Sequence, residues 1–244
     1  RDRFQSGAEL LEDLDGAYLD RSSTDEAPWE PPLVGYNLEQ DRIQDSVSAL
    51  TRGQGGVCLV EGPEGTGRSR LLRDAVAHAG SIGIHTLEDR SSPGESTPEA
   101  LLRMGRLLLA ELGSRVPREL ERAMNSFSAG QARQPSAPVG SDLRYQLYDG
   151  IRTALEGLLR EEPVVICLDD LDHASPPQVA LVSYLVRTLV VRDGLPLLVL
   201  ASLRSDLPTP NLHHFRDGTE LGLKPVRVET RNLSRDEMEL VVAS

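Results

Sequence analysis

Lysine is almost missing from this sequence: Lys224 is the only one, and arginine supplies every other basic side chain among the 26. That bias reads as compositional, but it reaches one position that matters below. Basic charge is also scarce overall, because 38 acidic residues outnumber it and leave a formal net charge of -12. An acidic surface repels phosphate backbones, so direct binding of DNA or RNA by this segment is disfavoured. Nucleotide binding stays open, because a phosphate site works through local backbone N–H groups and Mg²⁺ rather than through global charge. Long apolar runs are absent too. No stretch approaches the ~20 residues of a membrane span, and nothing resembles a signal peptide. Only two cysteines occur, Cys58 and Cys167, both inside apolar runs. They are expected as small core hydrophobes rather than a disulfide, which fits a reducing cytoplasm. The chain opens on Arg1 rather than Met, as a piece of a longer protein would.

What is present is enough for one substantial core with appendages, at 244 residues. Residues 3–19 place Phe4, Ala8, Leu11 and Leu14 near one helix face, and residues 20–32, with Pro28, Pro31 and Pro32, read as a linker. From Leu33 strands and helices alternate. Gly56–Glu61 reads as a buried strand, Ser69–Ala79 as a helix, and Ile82–Leu87 as a second strand. Residues 87–97 are expected as a surface loop, with a helix opening at Thr97-Pro98. Residues 126–141 are poor in apolar side chains and are expected to be mobile. Leu143, Leu147, Ile151, Leu155 and Leu158 mark a long helix, followed by the strand Val164–Asp169. A helix over Pro176–Val191, the strand Leu197–Ser202 and a short strand at Val226–Glu229 complete the pattern. Ser234 and Glu237 then form a capping box on a final helix. There is no internal repeat. Apolar strands separated by helices imply a parallel sheet covered on both faces, an α/β fold.

Three motifs carry chemistry. Gly62-Pro63-Glu64-Gly65-Thr66-Gly67-Arg68-Ser69 follows a buried strand and opens a helix, the context of a phosphate loop. Its glycines let successive N–H groups curl around phosphate oxygens, and the helix adds its positive dipole end. Ser69 would offer its hydroxyl to Mg²⁺ and Arg68 a cation to the terminal phosphates; the alternative is a glycine-rich turn with no ligand. Val164-Val-Ile-Cys-Leu-Asp169-Asp170 ends a buried strand on two acids. An unpaired buried carboxylate is costly, and a metal would relieve it. Asp169 would hold Mg²⁺ through water and Asp170 would polarise the attacking water; otherwise both acids cap the next loop. The strand from Leu197 ends in Ser202 and Arg204, which either sense a γ-phosphate at the carboxyl edge of the sheet or are simply solvated. His213 and His214 read as surface residues. Trp29 and Tyr36 either pack on the domain or border an adenine ring.

These motifs, with Leu33-Val34-Gly35 and Glu39 upstream, make residues 33–244 resemble the AAA/STAND-type ATPase domain of large bacterial regulators, including LuxR-type activators and certain Ser/Thr kinases. The resemblance implies a P-loop NTPase three-layer sandwich with a five-stranded parallel core, its sensor strand between the phosphate-loop strand and the Asp169 strand. The implied contacts to ATP or ADP are the loop residues Gly62–Ser69, then Arg70, with Val34 and Gly35 upstream; Ser69 and Asp169 would hold Mg²⁺. It also implies a nucleotide-governed switch, with self-association and flanking domains as partners and neither nucleic acid nor membrane. The domain would span 33–232, with 233–244 the start of a further helical domain. Residues 1–19, beginning Arg3-Phe-Gln-Ser-Gly-Ala-Glu-Leu10, resemble the last helix of a Ser/Thr kinase domain. The chain departs from the family pattern in three places. Tyr36-Asn37 replaces Arg-Glu, Leu171-Asp172-His173-Ala174-Ser175 replaces Leu-His-Trp-Ala-Asp, and Arg68 replaces the loop lysine. Arginine keeps the charge but brings a bulkier, fixed fork, so binding is expected to survive while hydrolysis is slow or absent. The competing readings are a degenerate P-loop scaffold and a replication-initiator-like DNA-loading ATPase.

Overall fold

The run Val57-Cys58-Leu59-Val60 is apolar at every position, so both faces of its pleat must be covered. The computed structural model, which describes residues 34–133, 140–207, 209, 212–234 and 237, puts that run at the centre of a sheet. β1 (Gly56–Gly62), β3 (Val164–Asp169) and β4 (Leu197–Arg204) are its inner strands; β2 (His85–Arg90) and β5 (Val226–Glu229) are its edges. All pairings are parallel and the order is β2-β3-β4-β1-β5. β4 thus lies between β1, which leads into the glycine loop, and the Asp169 strand β3, the strand order that the resemblance implies.

Period-2 alternation divides the core in two. Cys58, Val60, Val165, Cys167, Leu198 and Leu200 pack against α1 (Asn37–Leu50) and α2 (Arg68–Ser81). Val57, Leu59, Val164, Ile166, Leu197 and Val199 face α3 (Thr97–Leu112), α4 (Arg118–Arg133), α5 (Ser141–Leu159) and α6 (Pro176–Leu185). The result is the three-layer α/β sandwich with a five-stranded parallel core. Cys58 and Cys167 are free and buried, and each is registered on Leu200 from opposite sides, so a strand separates them.

Several boundaries differ from the sequence expectation. β2 runs on through Glu88-Asp89-Arg90, because pairing with Cys167, Leu168 and Asp169 of β3 satisfies its backbone. The loop is correspondingly shorter than 87–97. Residues 126–133, expected as mobile, form the last two turns of α4. Leu120, Ala123, Met124 and Phe127 recur at helical spacing and bury that face against the core. Past Leu185, α6 continues as a π-helical segment, Val186–Arg192. β4 extends two residues beyond Ser202. The helix expected over 3–19, the linker 20–32, Trp29, residues 134–139 and 238–244 lie outside the described residues.

Candidate functional site

β1 delivers its last residue, Gly62, to the carboxyl edge of the sheet, and the chain turns there into α2. Gly65 and Gly67 take φ of 78° and 79°, a left-handed conformation that glycine adopts without strain. Gly67 is the N-cap of α2. Gly62 serves a different need: a Cβ there would run into Thr230 Oγ1 and lie 2.8 Å from Thr66 Oγ1. The loop is pinned from beneath. Thr66 Oγ1 lies 2.8 Å from the Pro63 carbonyl and 2.7 Å from Thr230 Oγ1, just past β5. Tyr36 is buried with its hydroxyl between the carbonyls of Thr66 (2.6 Å) and Arg231 (2.7 Å), donating to one at a time. Tyr36 thus packs on the domain under the loop, and burial raises its phenol above the ordinary value.

Asp169 ends β3 beside the loop. Its Oδ1 accepts from Ser69 Oγ at 3.0 Å, from Ser202 Oγ at 2.6 Å and from the Asp170 N–H at 3.1 Å. Ser202 is fully buried and also accepts from the Asp170 N–H, at 2.8 Å. Mg²⁺ takes hard oxygen donors and usually keeps several of its waters. The Ser69 hydroxyl and the Asp169 carboxylate, 3.0 Å apart and both hard donors, fit that ion with Asp169 reaching it through water. A cavity of about 480 Å³ opens on this side, bordered by Ser69, Arg73, Asp89, Arg90 and Asp169.

Asp170 has φ 55° and ψ 45°, the one non-glycine residue with positive φ among those described. That conformation costs roughly 1–2 kcal/mol, and the Ser202 bond and two charge pairs hold it. Arg90 donates from Nε (3.1 Å) and Nη2 (2.8 Å) to Asp170 Oδ2. Arg68 is buried, with Nη2 3.8 Å from Asp170 Oδ1 and Nη1 3.8 Å from Asp172 Oδ1. Arg204 donates its backbone N–H to Asp172 Oδ1 at 3.1 Å. Its guanidinium pairs with Asp206 and, at 2.7 Å, with Glu64 of the phosphate loop. Behind the loop, the buried Glu61 accepts from Arg216 at 2.6 Å and from Arg227.

The structure therefore gathers Gly62, Pro63, Glu64, Gly65, Thr66, Gly67, Arg68, Ser69, Asp169, Asp170, Ser202 and Arg204 at one edge of the sheet. Arg70 lies in the first turn of α2. Val34 is half-buried, and the carbonyl of Gly35 (φ 83°) accepts from Arg231 at 3.4 Å. Arg231 forks onto Glu237, which closes the expected capping box with Ser234. His213 and His214 are exposed as expected. With Asp217 they are the one group of three potential metal-ligating side chains found close together among the described residues. Sequence reasoning missed Arg90, Asp172 and Thr230, and left Tyr36 undecided. The rule that sites form at the carboxyl ends of parallel strands would have flagged Arg90 and Thr230.

The comparisons with known proteins agree with this fold. The model of the AAA ATPase domain matches residues 32–200. No curated protein matches the sequence. Among solved structures, the Aeropyrum pernix ORC1 protein in complex with DNA has a TM-score of 0.56 at 17% identity, over 88% of this chain and 50% of that one. The A. pernix ORC2 protein in ADPNP-ADP complexes gives 0.54 at 14%, over 89% and 54%. Cdc6p from Pyrobaculum aerophilum gives 0.55 at 14%, over 91% and 52%. The chain thus spans about half the length of these proteins, and at such identities the likeness is one of fold. With the family model covering well over half of its length, the chain belongs to the AAA ATPase domain family.

Proposed function

We propose that this domain is an adenine-nucleotide-binding regulatory switch within a larger signalling or transcription regulator, holding ATP or ADP with Mg²⁺ and turning ATP over slowly or not at all. The observation that carries it is the bond from Ser69 Oγ to Asp169 Oδ1, which sets two metal donors side by side at the mouth of the glycine loop. Bound there, the ion would supply charge neutralisation to the phosphates. Ser69 and Asp169 would hold it, and the loop N–H groups with the α2 dipole would hold the phosphates. Arg204, already paired with Glu64 of the loop, stands where it can register a terminal phosphate. Asp170 is the group to polarise a water, but Arg90 occupies its Oδ2 and must first release it. This engagement, with Arg68 in place of lysine, favours a switch over a fast enzyme.

Calorimetry tests the ligand. At about 100 μM protein, which detects a site as weak as ~10 μM, ATP and ADP should give binding heats. Ser69→Ala and Asp169→Ala should lose the Mg²⁺-dependent part. Absence of heat with either nucleotide sinks the reading and leaves the scaffold alternative. The regulatory context rests on the resemblance, as does reading residues 1–19 as the end of a kinase domain; a parent gene without an upstream kinase catalytic loop would refute the latter. Fold similarity to the A. pernix ORC1 protein in complex with DNA keeps a DNA-loading reading in view, but the net charge of -12 opposes it.

A further inference from the structure

Two of the departures from the family pattern meet in space. Arg68 stands in place of the loop lysine and Asp172 in place of the histidine after the acidic strand, and Arg68 Nη1 lies 3.8 Å from Asp172 Oδ1. Asp172 has only 1% of its side chain exposed and Arg68 only 8%. The pair is charged and buried, yet poorly made. At 3.8 Å it is an ion pair without a hydrogen bond, and Arg68 Nη1 and Asp172 Oδ2 are both buried without a hydrogen-bond partner. Asp170 holds the other end of the guanidinium at the same distance, and Asp206 adds to the negative field. A buried donor left unfilled stores free energy that a better acceptor recovers.

We propose that Asp172 is a specificity-determining residue: it is the counter-charge that holds Arg68 down, and so decides whether the site distinguishes a nucleoside triphosphate from a diphosphate. This rests on the nucleotide-binding reading above. With a diphosphate bound, the γ-phosphate is missing and Arg68 stays on Asp170 and Asp172. With a triphosphate, the γ-phosphate offers full charge and bidentate acceptors, and Arg68 transfers to it. That transfer takes the guanidinium from the buried Asp172 and leaves it the Arg204 N–H at 3.1 Å on Oδ1 and the His173 ring, 3.6 Å from Oδ2 and too far for a hydrogen bond. The penalty falls on the triphosphate alone. Movement of Arg68 would also change the charge beneath β4, coupling the terminal phosphate to the strand that carries Arg204.

The test is Asp172→Asn, which removes the charge and keeps an amide oxygen for the Arg204 N–H. Calorimetry on the whole chain with Mg·ATP and with Mg·ADP reads the ratio of the two affinities. The variant should tighten ATP about tenfold, equivalent to about 1.4 kcal/mol, and move ADP by less than about twofold. Placed in an Arg68→Gln background, the same substitution should change neither. An unaltered ATP:ADP ratio in a variant that melts like the wild type overturns the proposal. So does a gain that persists without Arg68, since Asp172 would then act by repelling phosphate directly. If Asp172→Asn fails to fold, Arg68→Lys serves instead. One ammonium cannot span both carboxylates, so the ratio should rise, and a constant ratio is fatal. A wild-type chain that binds neither nucleotide removes the site and this proposal together, whereas binding of both with an unchanged ratio removes Asp172 alone.

Discussion

Arginine and lysine carry the same charge and differ in what they can follow. The planar fork of Arg68 suits a ground-state phosphate but tracks poorly the charge that develops as the γ-phosphoryl group transfers. Losing ~3 kcal/mol of that stabilisation slows the step by roughly two orders of magnitude. Arg68→Lys should therefore raise the single-turnover rate while changing affinity less; a wild type that already hydrolyses several ATP per second, or a lysine variant no faster, contradicts this. The glycines, Ser69 and Asp169 were legible in the sequence because their roles follow from spacing along one strand and one turn. Asp172, Arg90 and Thr230 were not, because their partners come from other strands, which no local pattern announces. The thiols show the reverse case, an apolar context that predicts behaviour directly. Burial pushes Cys58 and Cys167 up to about 12. A folded value above the unfolded one adds stability that is complete below about pH 8.5 and is lost as pH rises towards 12. Each thiol contributes a slope of about 1.4 kcal/mol per pH unit in that window. Urea unfolding between pH 8 and 9.5, where phenols of the unfolded chain, with values of about 10, are still mostly protonated, should show the decline, and Cys58→Ala should reduce its slope. An identical slope in the variant would locate the alkaline loss elsewhere.

Elements fared according to where their backbone partners lie. The inner strands were placed within two residues, since an apolar run has no other use for so many branched side chains. β2 was cut short because Glu88-Asp89-Arg90 looks like loop until β3 is beside it. Its final residue, Arg90, proved to be the partner of Asp170. α4 is the larger correction. Its last turns read as polar low-complexity sequence, yet Phe127 is fully buried and Gly130 lets Leu143 of α5 come so close that a Cβ would meet it at 2.6 Å. A mobile segment would tolerate Phe127→Ala within about 0.5 kcal/mol, as surface substitutions generally do. A core helix should lose about 3–5 kcal/mol. Urea denaturation separates the two, and a small loss would return residues 126–133 to the status of a loop. The loss should leave nucleotide affinity nearly unchanged, because this layer packs on the sheet face opposite α2.

At the scale of the molecule, the site joins layers that otherwise share only the sheet. Ser69 belongs to α2, Asp169 to β3, Ser202 to β4 and Tyr36 to the entrance of α1, while Thr230 follows β5. A ligand that engages this edge binds the folded chain and has no counterpart site on the unfolded one, so it must stabilise the whole. At 100 times its dissociation constant the gain is about 2.7 kcal/mol. For a domain of this size each kcal/mol raises Tm by about 2–4 °C, so Mg·ATP should shift the melt upward by roughly 5–11 °C. Ser69→Ala should shrink the Mg²⁺-dependent part of the shift. Double-stranded DNA provides the contrast. With a net charge of -12 the molecule offers phosphate backbones little attraction, and DNA at low salt should leave Tm where it was. A DNA-induced rise that fades steeply with added salt would favour the initiator-like reading. No rise with saturating nucleotide would mean that the loop, for all its glycines, holds nothing. The two ligands thus sort the readings by one observable, and they do so through the fold itself, because whichever ligand binds the folded chain alone raises the cost of pulling β1, β3 and β4 apart.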